Sequence, residues 1–303
     1  MKNRLMLIYN PKAGKGQFLT QLPSVIDLFT KAGYAVEVYP TQAGGDCVRK
    51  IEAIEDMYDL IVPAGGDGTL DEVVTGLVRS GKKIPIGYIP VGSTNDYAKS
   101  LGLSANIIQA VGDILNGVPK ALDVGLVNKN HIFAYVAAFG AFTDVAYTTN
   151  QDMKNLFGHI AYVFEATKRL ADLKHYQVYV KTEDYENEQD YIFGMITNSI
   201  SVGGIKNITG TEVQLDDGLF EVTLIRNPKN ILEMQEIVGS LITQNYDTDL
   251  IDFLKAEEIE IRSKDMIPWT LDGEFGGVFQ DVVIENKKQS MQFLLDPKKA
   301  LVG

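Results

Sequence analysis

One cysteine, one tryptophan and three histidines in 303 residues leave this chain few soft or imidazole ligands. Cys47 alone cannot close an internal disulfide, and His131, His159 and His175 are too scattered to form a zinc pattern. Positive charge is also short. Lys and Arg number 28 against 40 Asp and Glu, a formal charge of -12. That balance argues against nucleic acid as the main partner and against strong nonspecific adhesion to anionic membranes. No stretch approaches the ~20 consecutive apolar residues that a membrane-spanning helix needs. The opening Met1-Lys2-Asn3-Arg4-Leu5 enters an apolar run too short for a secretory leader, with no small-residue cleavage site after it. The expected location is therefore cytoplasmic. At 45% hydrophobic and 22% charged, the composition is that of a globular protein long enough for two domains.

What the chain does have is a change of rhythm near Leu122. Before it, strand and helix signals alternate, with Arg4 to Tyr9, Tyr34 to Tyr39, Leu60 to Ala64 and Ile86 to Ile89 reading as buried strands. Phe18, Leu22, Val25, Ile26 and Phe29 mark one helix face, with Pro23 a kink or a late start, and Cys47 to Met57 reads as a second helix. Ser104 is placed as the N-cap of a helix whose apolar side carries Ile107, Ile108, Val111 and Leu115. The alternation implies a three-layer α/β domain with a mainly parallel, open sheet. Beyond Leu122 strand runs dominate, separated by turn clusters such as Asn128-Lys129-Asn130 and Asp216-Asp217-Gly218. Two helices interrupt them, near Gly158 to Leu173 and Pro228 to Gly239, so the second domain is expected to be an antiparallel β-sandwich.

Three glycine-bearing turns follow strands of the first half. The most informative is Gly65-Gly66-Asp67-Gly68-Thr69, set between Leu60-Ile61-Val62-Pro63-Ala64 and the helix-like Leu70-Asp71-Glu72-Val73-Val74. Glycines let the backbone approach a bulky anion, and a helix start aims unpaired N–H groups at it. Asp67 adds a carboxylate where a cation bridging phosphates could sit. The first strand ends in Asn10-Pro11-Lys12-Ala13-Gly14-Lys15-Gly16. Its lysines could neutralise phosphate, and Asn10 could hydrogen-bond a base, a ribose or the neighbouring turn. This stretch fits neither the Walker pattern nor the dinucleotide fingerprint, since Leu19 stands where the third glycine belongs. By itself it reads as an ordinary loop. The third turn, Pro90-Val91-Gly92-Ser93-Thr94-Asn95-Asp96, alone reads as a helix start capped by Thr94 or Asn95. All three would open on the carboxyl edge of one parallel sheet, where ligands of open α/β folds bind.

In this order the three turns resemble those of the soluble diacylglycerol kinase catalytic-domain family, which includes sphingosine kinases and bacterial lipid kinases. Asp216-Asp217-Gly218-Leu219-Phe220-Glu221-Val222 is similar to the family's Asp-Gly turn and strand, and Leu271-Asp272-Gly273-Glu274 to its late Asp-Gly-Glu motif. The chain departs from the family at Thr209-Gly210-Thr211-Glu212-Val213, where a proline-rich lead-in is common.

The resemblance implies an ATP-binding α/β domain over residues 1–122, joined by a returning segment 296–303, and a β-sandwich lipid-substrate domain over 123–295. It implies ATP contacts from Asn10, Pro11, Lys12, Ala13, Gly14 and Lys15, and from Thr41. Further contacts would come from Gly65, Gly66, Asp67, Gly68, Thr69, Leu70, Asp71 and Glu72, and from Ser93, Thr94, Asn95 and Asp96. It implies a Mg2+ ion at Asp217 and the carbonyls of Gln214 and Leu219, with Glu274 as proton acceptor and Asp67 orienting or binding the catalytic ion. The implied reaction moves the γ-phosphoryl group of ATP to a lipid hydroxyl, with diacylglycerol the leading acceptor and phosphatidate the product.

Without the resemblance, Glu274 is a surface turn acid and Asp216-Asp217-Gly218 a hairpin turn, a role Asp217 could combine with binding an ion. An NAD kinase shares Gly-Gly-Asp-Gly-Thr and is the alternative enzyme. The alternative without turnover is a catalytically silent nucleotide- or lipid-binding protein of the same fold. The lipid would be met at a membrane surface, peripherally and transiently, and a homodimer is left open. One candidate for the membrane-facing edge is the Gly158 to Leu173 helix with Lys168, Arg169 and Lys174, beside Phe142, Tyr147 and Phe157.

Overall fold

The computed structural model describes residues 3–55, 57–140, 173–202, 205–206 and 213–297. Most of the expected helix from Gly158 to Leu173, with His159, Lys168 and Arg169, lies outside the described residues, as do Phe142, Tyr147, Phe157 and Thr209 to Glu212. The chain divides into two compact units, Met1–Asp123 with Gln289–Gly303, and Val124–Lys288.

In the first unit, strands β1 (Asn3–Tyr9), β2 (Tyr34–Pro40), β3 (Leu60–Gly65) and β4 (Ile89–Pro90) form a parallel sheet in the order β2-β1-β3-β4. Helices α1 (Gln17–Lys31), α2 (Asp46–Ala53), α3 (Asp67–Ser80), α4 (Asp96–Ser100) and α5 (Ile107–Leu115) complete the βα alternation. Every residue of β3 is buried, as expected of a parallel strand covered on both faces. On one face Leu5, Leu7, Leu60 and Val62 pack with Phe18, Val25 and Phe29 of α1 and with Ala110, Val111 and Ile114 of α5. Helices α2 and α3 pack closely on one another, since a Cβ on Gly76 would lie 2.8 Å from Cβ of Ile51.

The expected helices shift at their ends, α2 stopping at Ala53 rather than Met57 and the helix expected near Pro228 to Gly239 running Ile231–Thr243. Two further details differ from the sequence expectation. The stretch expected as a strand from Ile86 to Ile89 contributes a lone bridge at Ile86 and only Ile89–Pro90 as ladder. Pro85 and Pro90 lack the N–H a continuous ladder needs. The cap of α5 is Asn106, whose side chain accepts the Gln109 N–H at 3.0 Å, while Ser104 Oγ accepts the Asn106 N–H. The chain's last strand returns to this sheet, where the Ile86 N–H donates to Gln292 O and the Leu294 N–H to Ile86 O, each at 2.8 Å.

In the second unit, β5 (Val118–Val127) leads in from the first and is followed by β6 (His131–Phe133), β7 (Val136–Gly140), β8 (Tyr176–Lys181) and β9 (Glu186–Thr197). After the short pair β10 (Ser201–Val202) and β11 (Ile205–Lys206) come β12 (Phe220–Arg226), helix α6 (Ile231–Thr243), β13 (Ile251–Ala256), β14 (Glu258–Leu271) and β15 (Glu274–Leu295). Nine described strands form one continuous sheet, ordered β13-β12-β9-β7-β14-β15-β5-β6, with β8 bridging β9 and β14. The long strands change neighbours along their length. β14 pairs with β8 at Glu260–Ser263 and with β7 at Trp269–Leu271. The sheet thereby turns back over a single core in which Trp269, Phe139, Phe220, Val222, Tyr191 and Ile284 meet. Among the described residues no helix is long and apolar enough to cross a membrane.

Candidate functional site

The first unit brings its three glycine turns into contact at the carboxyl edge of the sheet. Leaving β1, Asn10 donates its N–H to Ala64 O, and its side-chain oxygen accepts the Lys12 N–H at 2.9 Å, closing a local Asx turn. The Asn10 oxygen thus shapes its own loop. Ala13 and Gly14 follow in a short 3-10 turn that also contains Lys15. Gly14 has φ +57, and a Cβ there would lie 2.3 Å from the carbonyl oxygen of Val91, so only glycine lets the first turn rest on the third. Thr41, just past β2, is tied to the same edge through its N–H to Tyr9 O.

The second and third turns meet glycine to glycine. A Cβ on Gly92 would lie 2.5 Å from Cα of Gly66. The Val91 N–H donates to Gly65 O at 2.8 Å, and the buried Tyr88 hydroxyl donates to the same oxygen at 3.2 Å. Because α3 begins at Asp67, two residues after β3 ends, its first-turn N–H groups emerge on this edge, an arrangement that favours an anion.

The acids of these turns hold the backbone together. The two carboxylate oxygens of Asp67 accept the Asp96 N–H at 3.2 Å and the Tyr97 N–H at 3.3 Å, capping α4 from a different turn. Asn95 stands at the N-cap position as expected, at φ +51, but its side chain makes no cap bond and donates its amide to Gly92 O. Burial, with the Asp67 charge adding to it, pushes the Tyr88 hydroxyl well above its usual range. Glu72 points away from the turn and accepts the Gly45 N–H at 2.7 Å and the Cys47 N–H at 3.0 Å, capping α2. Burial first, and then Glu72, push the Cys47 thiol up, which makes it a structural cysteine. Asp96 is buried and ion-paired to Lys99 at 3.2 Å, and Leu70 and Thr69 are buried. Ser93 is exposed, while Thr94 and Asp71 are half-buried. A cavity of about 380 Å³ lined by Tyr58, Ser80, Lys82 and Lys83 lies at the other end of α3, away from the turns.

In the second unit, Asp272 and Gly273 form the two-residue loop between β14 and β15, at φ +49 and +85, as an Asp-Gly hairpin requires. The Asp272 carboxylate is buried and accepts three N–H groups, from Ala134 at 2.5 Å, Tyr135 at 3.0 Å and Val136 at 2.9 Å. That bond set fixes the start of β15 and presents Glu274 with an exposed side chain.

Asp217 makes an Asx turn, its Oδ1 accepting the Leu219 N–H at 2.9 Å. Lys288 Nζ donates to the Asp217 carbonyl at 2.8 Å. One carboxylate with the Gln214 and Leu219 carbonyls is a donor set suited to a hard cation that keeps several waters. Among the described residues no group of three or more His, Cys, Asp or Glu side chains is placed to hold a metal. A Mg2+ ion here would have Asp217 as its side-chain ligand.

Sequence reasoning passed over two features. Thr197, Asn198, Ser199 and Ser201 form a buried polar run at the end of β9, with Asn198 Nδ2 donating to Leu215 O at 3.4 Å. Glu221 is 1% exposed inside β12, with Lys255 Nζ at 3.3 Å across the strand pair. Its carboxyl is pushed up to about 7 by burial, opposed by the Lys255 charge and reinforced by that of Asp217. Its only sequence signal is a charge breaking the apolar run of Phe220 to Ile225.

The family description "Diacylglycerol kinase catalytic domain" matches residues 4–127, and "YegS C-terminal NAD kinase beta sandwich-like domain" matches residues 136–290. A diacylglycerol kinase of Bacillus subtilis (strain 168) is 31% identical over 278 residues, 91% of each chain. One from Staphylococcus carnosus (strain TM300) is 30% identical over 279 residues, covering 91% of this chain and 90% of its own. A crystal structure of a diacylglycerol kinase from Bacillus anthracis str. Sterne shares the fold, with a TM-score of 0.77 and 22% identity over 99% of both chains. Family descriptions matching both units in sequence, and relatives at this identity over nine-tenths of the chain, agree with the turns and the late hairpin: the chain belongs to the diacylglycerol kinase family.

Proposed function

We propose that this protein is an ATP-dependent lipid kinase, moving the γ-phosphoryl group of ATP to a lipid hydroxyl, with diacylglycerol as acceptor and phosphatidate as product. The observation that carries the reading is the contact of three glycine turns at one sheet edge, through Gly14 on Val91 and Gly66 on Gly92. Phosphoryl transfer asks a protein mainly for positioning and charge stabilisation, and helix-start N–H groups beside close-packed glycines supply both. ATP phosphates would lie over Gly65 to Gly68, with Asn10 to Lys15, Thr41 and Ser93 to Asn95 around them. Asp67 acts as a positioning residue, locking the second turn to α4. Glu274 accepts the proton of the attacking hydroxyl. Asp217, with the carbonyls of Gln214 and Leu219, would hold Mg2+, which when bound supplies a fixed positive charge. The acceptor would be met by transient, peripheral association with a membrane surface.

The test is transfer of labelled phosphate from ATP to a panel of diacylglycerol, a sphingoid base and a long-chain alcohol in mixed micelles, with NAD offered alongside. Labelled phosphatidate from the wild type and a loss of at least about a hundredfold in Glu274→Gln, the usual contribution of a general base, would support the reading. Label on NAD, or on no lipid at all, would overturn it.

A further inference from the structure

The Asp217 turn already carries a cation. Lys288 is the last residue of the second unit, and its ammonium sits on the Asp217 carbonyl at 2.8 Å. Its aliphatic stem runs across Gly218, where a Cβ would lie 3.0 Å from Lys288 Cδ. Gly218 has φ +89, so the turn is shaped by glycine both for its backbone and for the passage of this side chain. The backbone that roots Lys288 is fixed as well. The next residue, Gln289, has φ +50, and its N–H donates to the fully buried Asp123 at 2.7 Å.

We propose that Lys288 is a tethered cation that holds the Asp217 turn and lowers that turn's affinity for a divalent ion. The inference rests on the reading of Asp217 as a cation ligand. An ammonium donating to a backbone oxygen of the ligand-bearing turn is close enough to repel a Mg2+ ion bound at the carboxylate. Charges of +1 and +2 at roughly 6 Å in a water-like medium repel enough to weaken binding about tenfold. The lysine also satisfies the Asp217 carbonyl, so the turn keeps its shape whether or not an ion is present. The dependence of this chain on Mg2+ at Asp217 would thus be set by a residue 71 positions away in sequence.

The test titrates Mg2+ alone, without nucleotide or lipid, into the full chain by calorimetry. Thermal midpoints read from Trp269 fluorescence serve as a second measure. Lys288→Met keeps the stem over Gly218 and removes the charge, and should bind Mg2+ about tenfold more tightly than wild type. Lys288→Arg keeps the charge and should bind within about twofold of wild type. Asp217→Asn supplies the background of binding elsewhere. Equal or weaker binding by Lys288→Met, or no Asp217-dependent binding in any variant, would overturn the proposal. Because neither ATP nor lipid is present, a chain inactive on every lipid would sink the kinase reading and leave this result standing.

Discussion

The buried Glu221 makes the stability of the second unit depend on pH in a direction opposite to that of most carboxylates. Its folded pKa of about 7 stands above the ordinary 4.5 because burial disfavours the ionised form more than Lys255 favours it. Between those two values the folded state holds a proton that the unfolded chain has released. Stability must therefore fall as pH rises through that window and be flat on either side. Integrating the two titrations gives a loss of about 2.5 kcal/mol between about pH 5 and pH 8. Glu221→Gln removes the titration while keeping shape and length. Other groups titrate in both proteins and cancel in the difference. The expected result is that the mutant gains about 2.5 kcal/mol on the wild type as pH rises from about 5 to about 8.

Trp269 suits the assay because it is the only tryptophan and is fully buried in the core of the same unit. Urea unfolding followed by its fluorescence reports on that core. Parallel pH profiles for the two proteins would refute the argument, and a mutant that lost ground as pH rose would show that the Lys255 pair outweighs the burial.

Three further outcomes follow from named contacts. Gly92→Ala puts a Cβ 2.5 Å from Gly66 Cα and should cost roughly 1–3 kcal/mol by urea unfolding and weaken ATP binding; Gly112→Ala, with nothing within 4 Å and a place inside α5, should be neutral or stabilising by up to about 1 kcal/mol. Asp272→Ala strands three buried N–H groups and should cost about 3–5 kcal/mol in the Trp269 transition, with Asp272→Asn in between. Native Cys47 should resist a thiol reagent at about pH 8 and react once the first unit unfolds, and Glu72→Gln, which weakens the α2 cap by about 1 kcal/mol, should speed that reaction.

The first unit was legible because a parallel strand buried on both faces is written as an uninterrupted apolar run, which Leu60 to Ala64 shows. Where the chain deviates, the cause is local. Pro85 and Pro90 break the ladder that the apolar residues around them suggest. Ser104 and Asn106 are both good caps, and periodicity does not choose between caps two residues apart. In the second unit individual strands were readable, but their order was not. Pairings such as β14 with β8 at one end and β7 at the other depend on contacts about a hundred residues away, which no local pattern encodes. Glu221 was missed because a charge inside a strand reads by default as a solvent-facing residue.

The motif acids carry the deeper lesson. Asp67, Glu72 and Asp272 are all residues that a sequence reader assigns to ligands or catalysis, or passes over as spacing. In the fold each carboxylate accepts two or more backbone N–H groups from a distant segment. Both kinds of role call for the same residue type, because an anion that suits a metal or a proton also suits converging N–H donors. The two are separable by geometry. A carboxylate that accepts converging N–H groups is held in place by the fold, whereas Glu274 projects from a hairpin that Asp272 holds. The family's Asp-Gly-Glu motif thus divides its labour in this chain, with Asp272 fixing the turn and Glu274 presented by it. A swap to Asn should therefore hurt folding at 272, whereas a swap to Gln at 274 should hurt only turnover. Equal losses of stability at the two positions would show that this division is wrong.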